Sequence, residues 1–319
     1  MAKSKGKYRF SFGPWNISEG ADPFGPEVRT PIALAKKMRI AKQLGFDGMQ
    51  FHDDDAVPDL DGKSATEIAK EAKRVKKMLE GEGLVAEFVA PRLWFAPQTI
   101  DGGYTNNNAK DRQYAIERTK KCIDIGNHLG TNAMVLWLAR EGTYIRESKN
   151  ARKQVLMIRD AIDEFLNYDP KLRILGRVGV LLETAHSLLA GLDPSDDMGY
   201  ALAHDKLWSV HLNDQGGLKF DQDKSFGSNN LRVAFNQIRV LEEYAYGQTG
   251  EWVGLDVKAM RTQKQDKATK HLSNSLQTFK FLLDKVVSMD QKIVNQCIAQ
   301  RDYEELDRYI LTLLMGKRY

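Results

Sequence analysis

Apolar residues along the chain fall into two registers. Short runs rich in β-branched and aromatic side chains, at 8–15, 48–52, 84–90, 133–137, 178–183, 207–212 and 252–258, read as buried strands. Longer stretches between them, at 31–44, 64–82, 109–129, 150–167 and 229–244, place apolar residues at helical spacing, and several stop near Gly or Asn. This alternation predicts repeated βα units closing a parallel TIM (β/α) barrel. A further apolar segment, 172–175, stands almost directly against 178–183, with Gly176 and Arg177 between them. Parallel neighbours need a crossover of about a dozen residues or more. The expected fold is therefore α/β, a TIM (β/α) barrel lacking one crossover between its fifth and sixth strands. After Thr262 the pattern is helical at 276–287, 292–299 and 303–314, which predicts a helical C-terminal extension. The domain boundaries read as 1–262 for the barrel and 263–319 for the extension.

Composition narrows the function classes. With 319 residues and 42% hydrophobic content the chain can bury the core of one large α/β domain, which excludes a disordered or fibrous protein. A net charge of +4, from 47 basic against 43 acidic residues, is spread thinly and points to no nucleic-acid partner. Cys122 and Cys297 lack CxxC spacing and read as free thiols. No apolar run approaches the roughly 18 residues of a membrane span, and Met1-Ala2-Lys3-Ser4-Lys5 lacks the apolar core of a signal peptide. The expectation is a cytoplasmic protein with no membrane partner.

In a βα barrel the reacting groups sit at the C-terminal ends of strands. Four such places are acidic or carry histidine: Phe51-His52-Asp53-Asp54-Asp55, Leu182-Glu183-Thr184-Ala185-His186, Lys219-Phe220-Asp221-Gln222-Asp223 and Leu255-Asp256-Val257-Lys258. Glu183 and His186 are spaced to share an ion, and Asp221 and Asp223 flank a Gln on an extended loop. Taken singly, each pair is more often a capped turn. Together they supply mostly oxygen ligands, which favours Mg²⁺ or Mn²⁺ over zinc. His52 precedes carboxylates able to fix one tautomer of its imidazole, as proton transfer requires. Trp15, Phe24, Trp94 and Trp137 follow other strand ends and suit the apolar walls of a sugar pocket, although core packing explains each alone.

Arg9-Phe10-Ser11-Phe12-Gly13, Asp22-Pro23-Phe24-Gly25, Phe51-His52-Asp53-Asp54-Asp55, Asp101-Gly102-Gly103-Tyr104-Thr105, Arg140-Glu141-Gly142 and Lys219-Phe220-Asp221-Gln222-Asp223 occur in the order found in the xylose isomerase family, which the chain resembles from about residue 8 to residue 262. The resemblance implies a metal-dependent aldose–ketose isomerase that converts D-xylose to D-xylulose by hydride shift, with two divalent cations (Mg²⁺, Mn²⁺ or Co²⁺). It implies that His52 assists ring opening and Asp55 orients it. Glu183 would bridge the cations, His186, Asp221 and Asp223 would complete the catalytic ion, and Asp256 would serve the structural one. Trp15, Trp94 and Trp137 would line the pocket. Phe24 would reach into a neighbouring subunit, implying a homodimer or homotetramer acting on a small aldose or ketose.

Two departures qualify that likeness. His211 stands where the family has Asp, which exchanges an oxygen ligand for a nitrogen and favours transition metals. Leu172-Arg173-Ile174-Leu175-Gly176 resembles the strand that ends in a Glu-x-Lys motif, yet that motif is missing. One such electrostatic group is typically worth ~10²–10³ in rate, so weakened activity is expected. The rival readings are an isomerase or epimerase for another sugar and a non-catalytic sugar- or metal-binding paralogue.

Overall fold

In the computed structural model, residues 4–131, 133–169 and 178–317 are described. Two compact units divide the chain, one of Phe10–Trp15 and Pro31–Gly179, the other of Met1–Arg9, Asn16–Thr30 and Val180–Tyr319.

In the first unit β1 (Phe10–Phe12), β2 (Gly48–His52) and β3 (Val85–Ala90) run parallel, β1 on β2 and β2 on β3. The helices are α1 (Leu34–Leu44), α2 (Asp53–Ala56), α3 (Ala65–Gly81), α4 (Ala109–Leu129) and α5 (Ala151–Tyr168). α1 stops at Gly45, whose φ of 88° suits a residue without Cβ. At the start of α3, Ser64 Oγ accepts from the Glu67 amide and the Glu67 carboxylate accepts from the Ser64 amide, a reciprocal cap worth about 1 kcal/mol. Ser11, Gln50 and Glu87, one from each strand, are buried and bonded to one another: Gln50 Nε2 donates to both Ser11 Oγ and Glu87 Oε2 at 3.0 Å. A second cluster under the helices joins Leu93, Tyr104, Ala115, Ile123, Ala161 and Phe165.

The segment 133–137, expected as a strand, makes a single parallel bridge, Met134 to Val89. The cause lies in β3: its ladder ends at Ala90, and the next residue, Pro91, has no N–H to donate. The expected strand at 172–175 and the join at Gly176 and Arg177 lie outside the described residues.

The second unit carries β4 (Val180–Glu183), β5 (Leu207–His211) and β6 (Trp252–Gly254), again parallel, and their register sets Glu183 beside His211 and His211 beside Gly254. Its helices are α6 (Thr184–Leu189), α7 (Pro194–Ala203), α8 (Leu231–Glu243), α9 (Lys270–Val287), α10 (Gln291–Gln300) and α11 (Tyr303–Leu314). α7 was not foreseen, although its start is written in the sequence: Asp193 caps the Ser195 amide at 2.9 Å and Pro194 takes the first helical position. α9 begins six residues before the expected 276, while α11 matches 303–314.

Among the described residues, six strands order as β3-β2-β1-β6-β5-β4 in one sheet, with helices between them and after them, so the expected TIM-type (β/α) fold class with C-terminal helices holds. Cys122 and Cys297 are buried free thiols. No described helix is long and apolar enough to cross a membrane.

Candidate functional site

Two clusters stand at the C-terminal ends of parallel strands, one in each unit. In the second unit, β4 ends on Glu183 and β5 on His211, so the strand register alone brings the carboxylate to the imidazole. Glu183 Oε2 lies 3.7 Å from His211 Nδ1, and Glu183 Oε1 lies 3.5 Å from Nε2 of His186 on α6. Each ring nitrogen also meets another carboxylate: Asp221 Oδ2 is 3.0 Å from His186 Nε2, and Asp256 Oδ2 is 3.5 Å from His211 Nδ1. Glu183 thus joins two donor sets, Glu183–His186–Asp221 and Glu183–His211–Asp256, each with its ligand atoms within 4.8 Å of one another.

The electrostatics follow from burial and proximity. Asp221 raises the His186 imidazole to a pKa of about 9 against the cost of burial. Burial works against the charged form of His211, but Asp256 and Glu183 outweigh it and push the pKa up to about 10. Burial raises the Glu183 carboxyl, and Asp256 adds to the effect, while His211 and His186 oppose it. Carboxylates converging on two imidazoles in so little solvent form a set that a divalent cation satisfies by taking the place of the ring protons. Asp221 Oδ1 is buried and lacks a hydrogen-bond partner among the described residues, which fits a further ligand oxygen. The residues present therefore fit a divalent metal, and with one nitrogen in each set they suit Mn²⁺ or Co²⁺ at least as well as Mg²⁺.

Asp223, expected as a ligand, stands in neither set. Its Oδ2 accepts from Lys258 Nζ, its Oδ1 lies 3.4 Å from Asn213 Nδ2, and its backbone adopts a left-handed φ of 46°. Asn213 itself was missed by the sequence reading. Its amide nitrogen donates to Glu183 Oε1 at 2.9 Å and to the Asp256 carbonyl at 3.1 Å, while its Oδ1 accepts from Thr184 Oγ1 and the Ala185 amide. The available signal was a buried polar residue directly after the apolar run of β5. Asn16 Nδ2, also missed, donates to Asp256 Oδ1 at 2.6 Å.

In the first unit, His52 ends β2 and precedes α2. Asp55 Oδ2 accepts from the His52 amide at 2.9 Å and lies 3.1 Å from His52 Nδ1. Burial alone would raise the Asp55 carboxyl, but His52 and then Arg92 outweigh it and hold it below the usual range. Arg92, unforeseen, places Nη2 2.5 Å from His52 Nδ1 and 3.1 Å from Asp55 Oδ1. A guanidinium only donates, so Arg92 and Asp55 ask opposite things of that nitrogen. Asp53, fully buried, takes a forked contact from Arg118 on α4, at 2.8 Å and 3.1 Å, which fixes the turn after β2.

Indoles surround the His52 ring. Trp15 lies over it at 4.1 Å between centroids, Trp94 meets it edge-on at 5.0 Å, and Trp137 meets Trp94 at 4.5 Å. All three expected pocket tryptophans therefore share one cluster with the expected catalytic histidine. Phe24 belongs to the other unit, packs edge-on against Phe220 and is 79% exposed.

Residues 38–172 match the model of the xylose isomerase-like TIM barrel family. A curated relative, the xylose isomerase of Thermus thermophilus, is 29% identical over 320 residues, covering 89% of this chain and 81% of the relative. Among solved structures, D-psicose 3-epimerase in the presence of D-fructose aligns with a TM-score of 0.59 at 12% identity, over 86% of this chain and 99% of that one. A xylose isomerase domain protein from Planctomyces limnophilus aligns at 0.54 and 14%, over 88% and 99%. These two likenesses are of fold. Over residues 38–172, and through the curated relative, the chain is similar to the xylose isomerase-like TIM barrel family.

Proposed function

We propose that the chain is a divalent-metal-dependent sugar isomerase or epimerase, and that its reaction is aldose–ketose isomerisation of the D-xylose to D-xylulose kind. The observation that carries this is Glu183, whose two carboxylate oxygens face two different imidazoles, as a residue shared by two cations must. The names of the curated relative and of the solved neighbours, xylose isomerase and D-psicose 3-epimerase, support sugars as the substrate class.

Glu183, His186 and Asp221 would hold one ion and Glu183, His211 and Asp256 the other, with Asp223 keeping Lys258 in place beside them. Bound there, divalent ions would supply Lewis-acid stabilisation of the charge that develops on sugar oxygens. His52 exchanges a proton with the ring oxygen as the pyranose opens, Asp55 orients the imidazole, and Trp15 and Trp94 give the sugar an apolar wall that excludes water. We further propose a cytoplasmic homo-oligomer in which the exposed Phe24 serves a neighbouring copy.

A second reading, epimerisation next to a ketose carbonyl, is favoured by the sequence at 172–176, which lacks the Glu-x-Lys motif on which the hydride shift would lean. Incubation with D-xylose or a ketohexose in D₂O, with Mg²⁺, Mn²⁺ or Co²⁺, separates the two. Conversion of xylose that keeps its carbon-bound hydrogen supports the hydride shift. Deuterium entering an epimerised ketose supports the second reading. No turnover of either sugar by folded, ion-loaded protein overturns both, with Asp221→Asn as the control for metal dependence.

A further inference from the structure

In the unit that carries Glu183, a cavity of about 300 Å³ opens at the start of α9. Lys224, Lys258, Lys267 and Lys270 line it together with Ser225 and Ser228, and no acidic side chain is among its lining residues. Lys258 is held by Asp223 and Lys267 by Asp266, at 2.8 Å for the latter, while Lys224 reaches the neutral Asn229 Oδ1 at 3.1 Å. A positive excess is left facing the cavity. α9 adds to it: this 18-residue helix has no acidic residue in its first turn, and its N-cap Thr269 makes no side-chain capping bond.

The wall is built rather than loose. Arg29 is buried and donates to the carbonyls of Ala259, Met260 and Gln263, at 3.2, 3.1 and 3.0 Å, which fixes the loop that lines one side. His271, 7% exposed, also lines the cavity. Its Nε2 donates to the Asn16 carbonyl at 2.8 Å, which leaves Nδ1 an acceptor, and that atom is buried without a hydrogen-bond partner among the described residues. Burial, with the nearby charge of Arg29, lowers its pKa to about 4, so the ring stays a neutral acceptor at physiological pH.

We propose that this cavity binds phosphate, free or as the terminal group of a small phosphorylated metabolite. The ammonium groups, the serine hydroxyls and the first amides of α9 take the charged oxygens, with the His271 side chain as part of the wall. The cavity is at the small end of ligand pockets, large enough for more than the phosphate alone. The reading is independent of the sugar chemistry proposed above, and its failure would leave that chemistry untouched.

Isothermal titration of the purified protein with inorganic phosphate tests it. Saturable binding of one phosphate per chain is expected, weakened by roughly tenfold or more in Lys270→Gln and in Lys224→Gln, since each loses a charge-assisted contact. Lys110→Gln, an exposed lysine on α4, should bind like the parent. Equal thermal midpoints for the variants will show that they are folded. A pentose 5-phosphate that binds tighter than phosphate assigns the site to a phosphorylated metabolite, and equal affinity assigns it to the free ion. Weak, unsaturable binding, or binding that all three lysine variants share equally, would overturn the proposal.

Discussion

Asn213 shows how a single side chain can set the geometry of the candidate metal centre. It pins one oxygen of Glu183 and the backbone at Asp256 while its own oxygen is held by Thr184 and Ala185. Asn213→Ala should weaken Mn²⁺ binding by about 10–100-fold, as losses of such supporting groups do. It should also cost about 1–3 kcal/mol in urea unfolding, because the Ala185 amide is left buried without its acceptor. In the other cluster, a Cβ on Gly13 would collide with the Trp15 ring. Gly13→Ala should therefore push the indole off His52 and lower kcat/KM for sugar by about tenfold with little change in unfolding midpoint; an unchanged kcat/KM would show that Trp15 is only packing. The carboxylates and imidazoles of both clusters were legible in the sequence because they gather where apolar strand runs end. Asn213, Arg92 and Arg118 were not, since a lone polar residue reveals its role only when the fold brings its partners near. Glu141 is the opposite case. Its Arg140-Glu141-Gly142 motif was conspicuous, and the structure gives the carboxylate to the amides of Gly103, Tyr104 and Thr105, a role in holding a loop.

Helices were read with good registration because their apolar spacing and caps are local properties: 109–129 and 303–314 match α4 and α11 end to end. The strand at 133–137 was overread because ladder formation depends on the neighbour, and Pro91 ends what β3 can offer. The N-terminal segment is fastened by one residue of α8. Glu242 accepts from Ser4 Oγ, the amides of Lys5 and Gly6, and Tyr8 Oη. Burial would raise its carboxyl, but those donors outweigh it and hold it below the ordinary value. A depressed carboxyl stabilises the fold above its unfolded pKa, near 4.5, and that contribution fades as pH falls through the lower folded value. Glu242→Gln should accordingly cost about 1–3 kcal/mol at pH 7 by urea unfolding, with the difference from the parent shrinking below about pH 4. A difference that stays constant with pH would mean that charge contributes nothing there.

At the scale of the molecule, the fold class was legible from the alternation of strand and helix, and the likeness to xylose isomerases from motifs in series. What the sequence could not give was the division of labour: the imidazole–indole cluster belongs to one unit and the carboxylate–imidazole cluster to the other. That division depends on which strands pair, a long-range property invisible in local periodicity. Phe24, exposed and aromatic, carries the expectation of self-association. Light scattering should find a dimer or larger, shifted toward monomer in Phe24→Ala, and a monomer at micromolar concentration would remove the cross-subunit role. The proposed chemistry requires a divalent ion centred on Glu183. The most direct measurement is a Mn²⁺ titration followed by the electron paramagnetic resonance signal of the free ion, comparing the parent with Glu183→Gln. Saturable binding weakened by at least about 100-fold in the variant is the predicted result, because both donor sets lose their shared charged oxygen. Equal binding by the two proteins would contradict it.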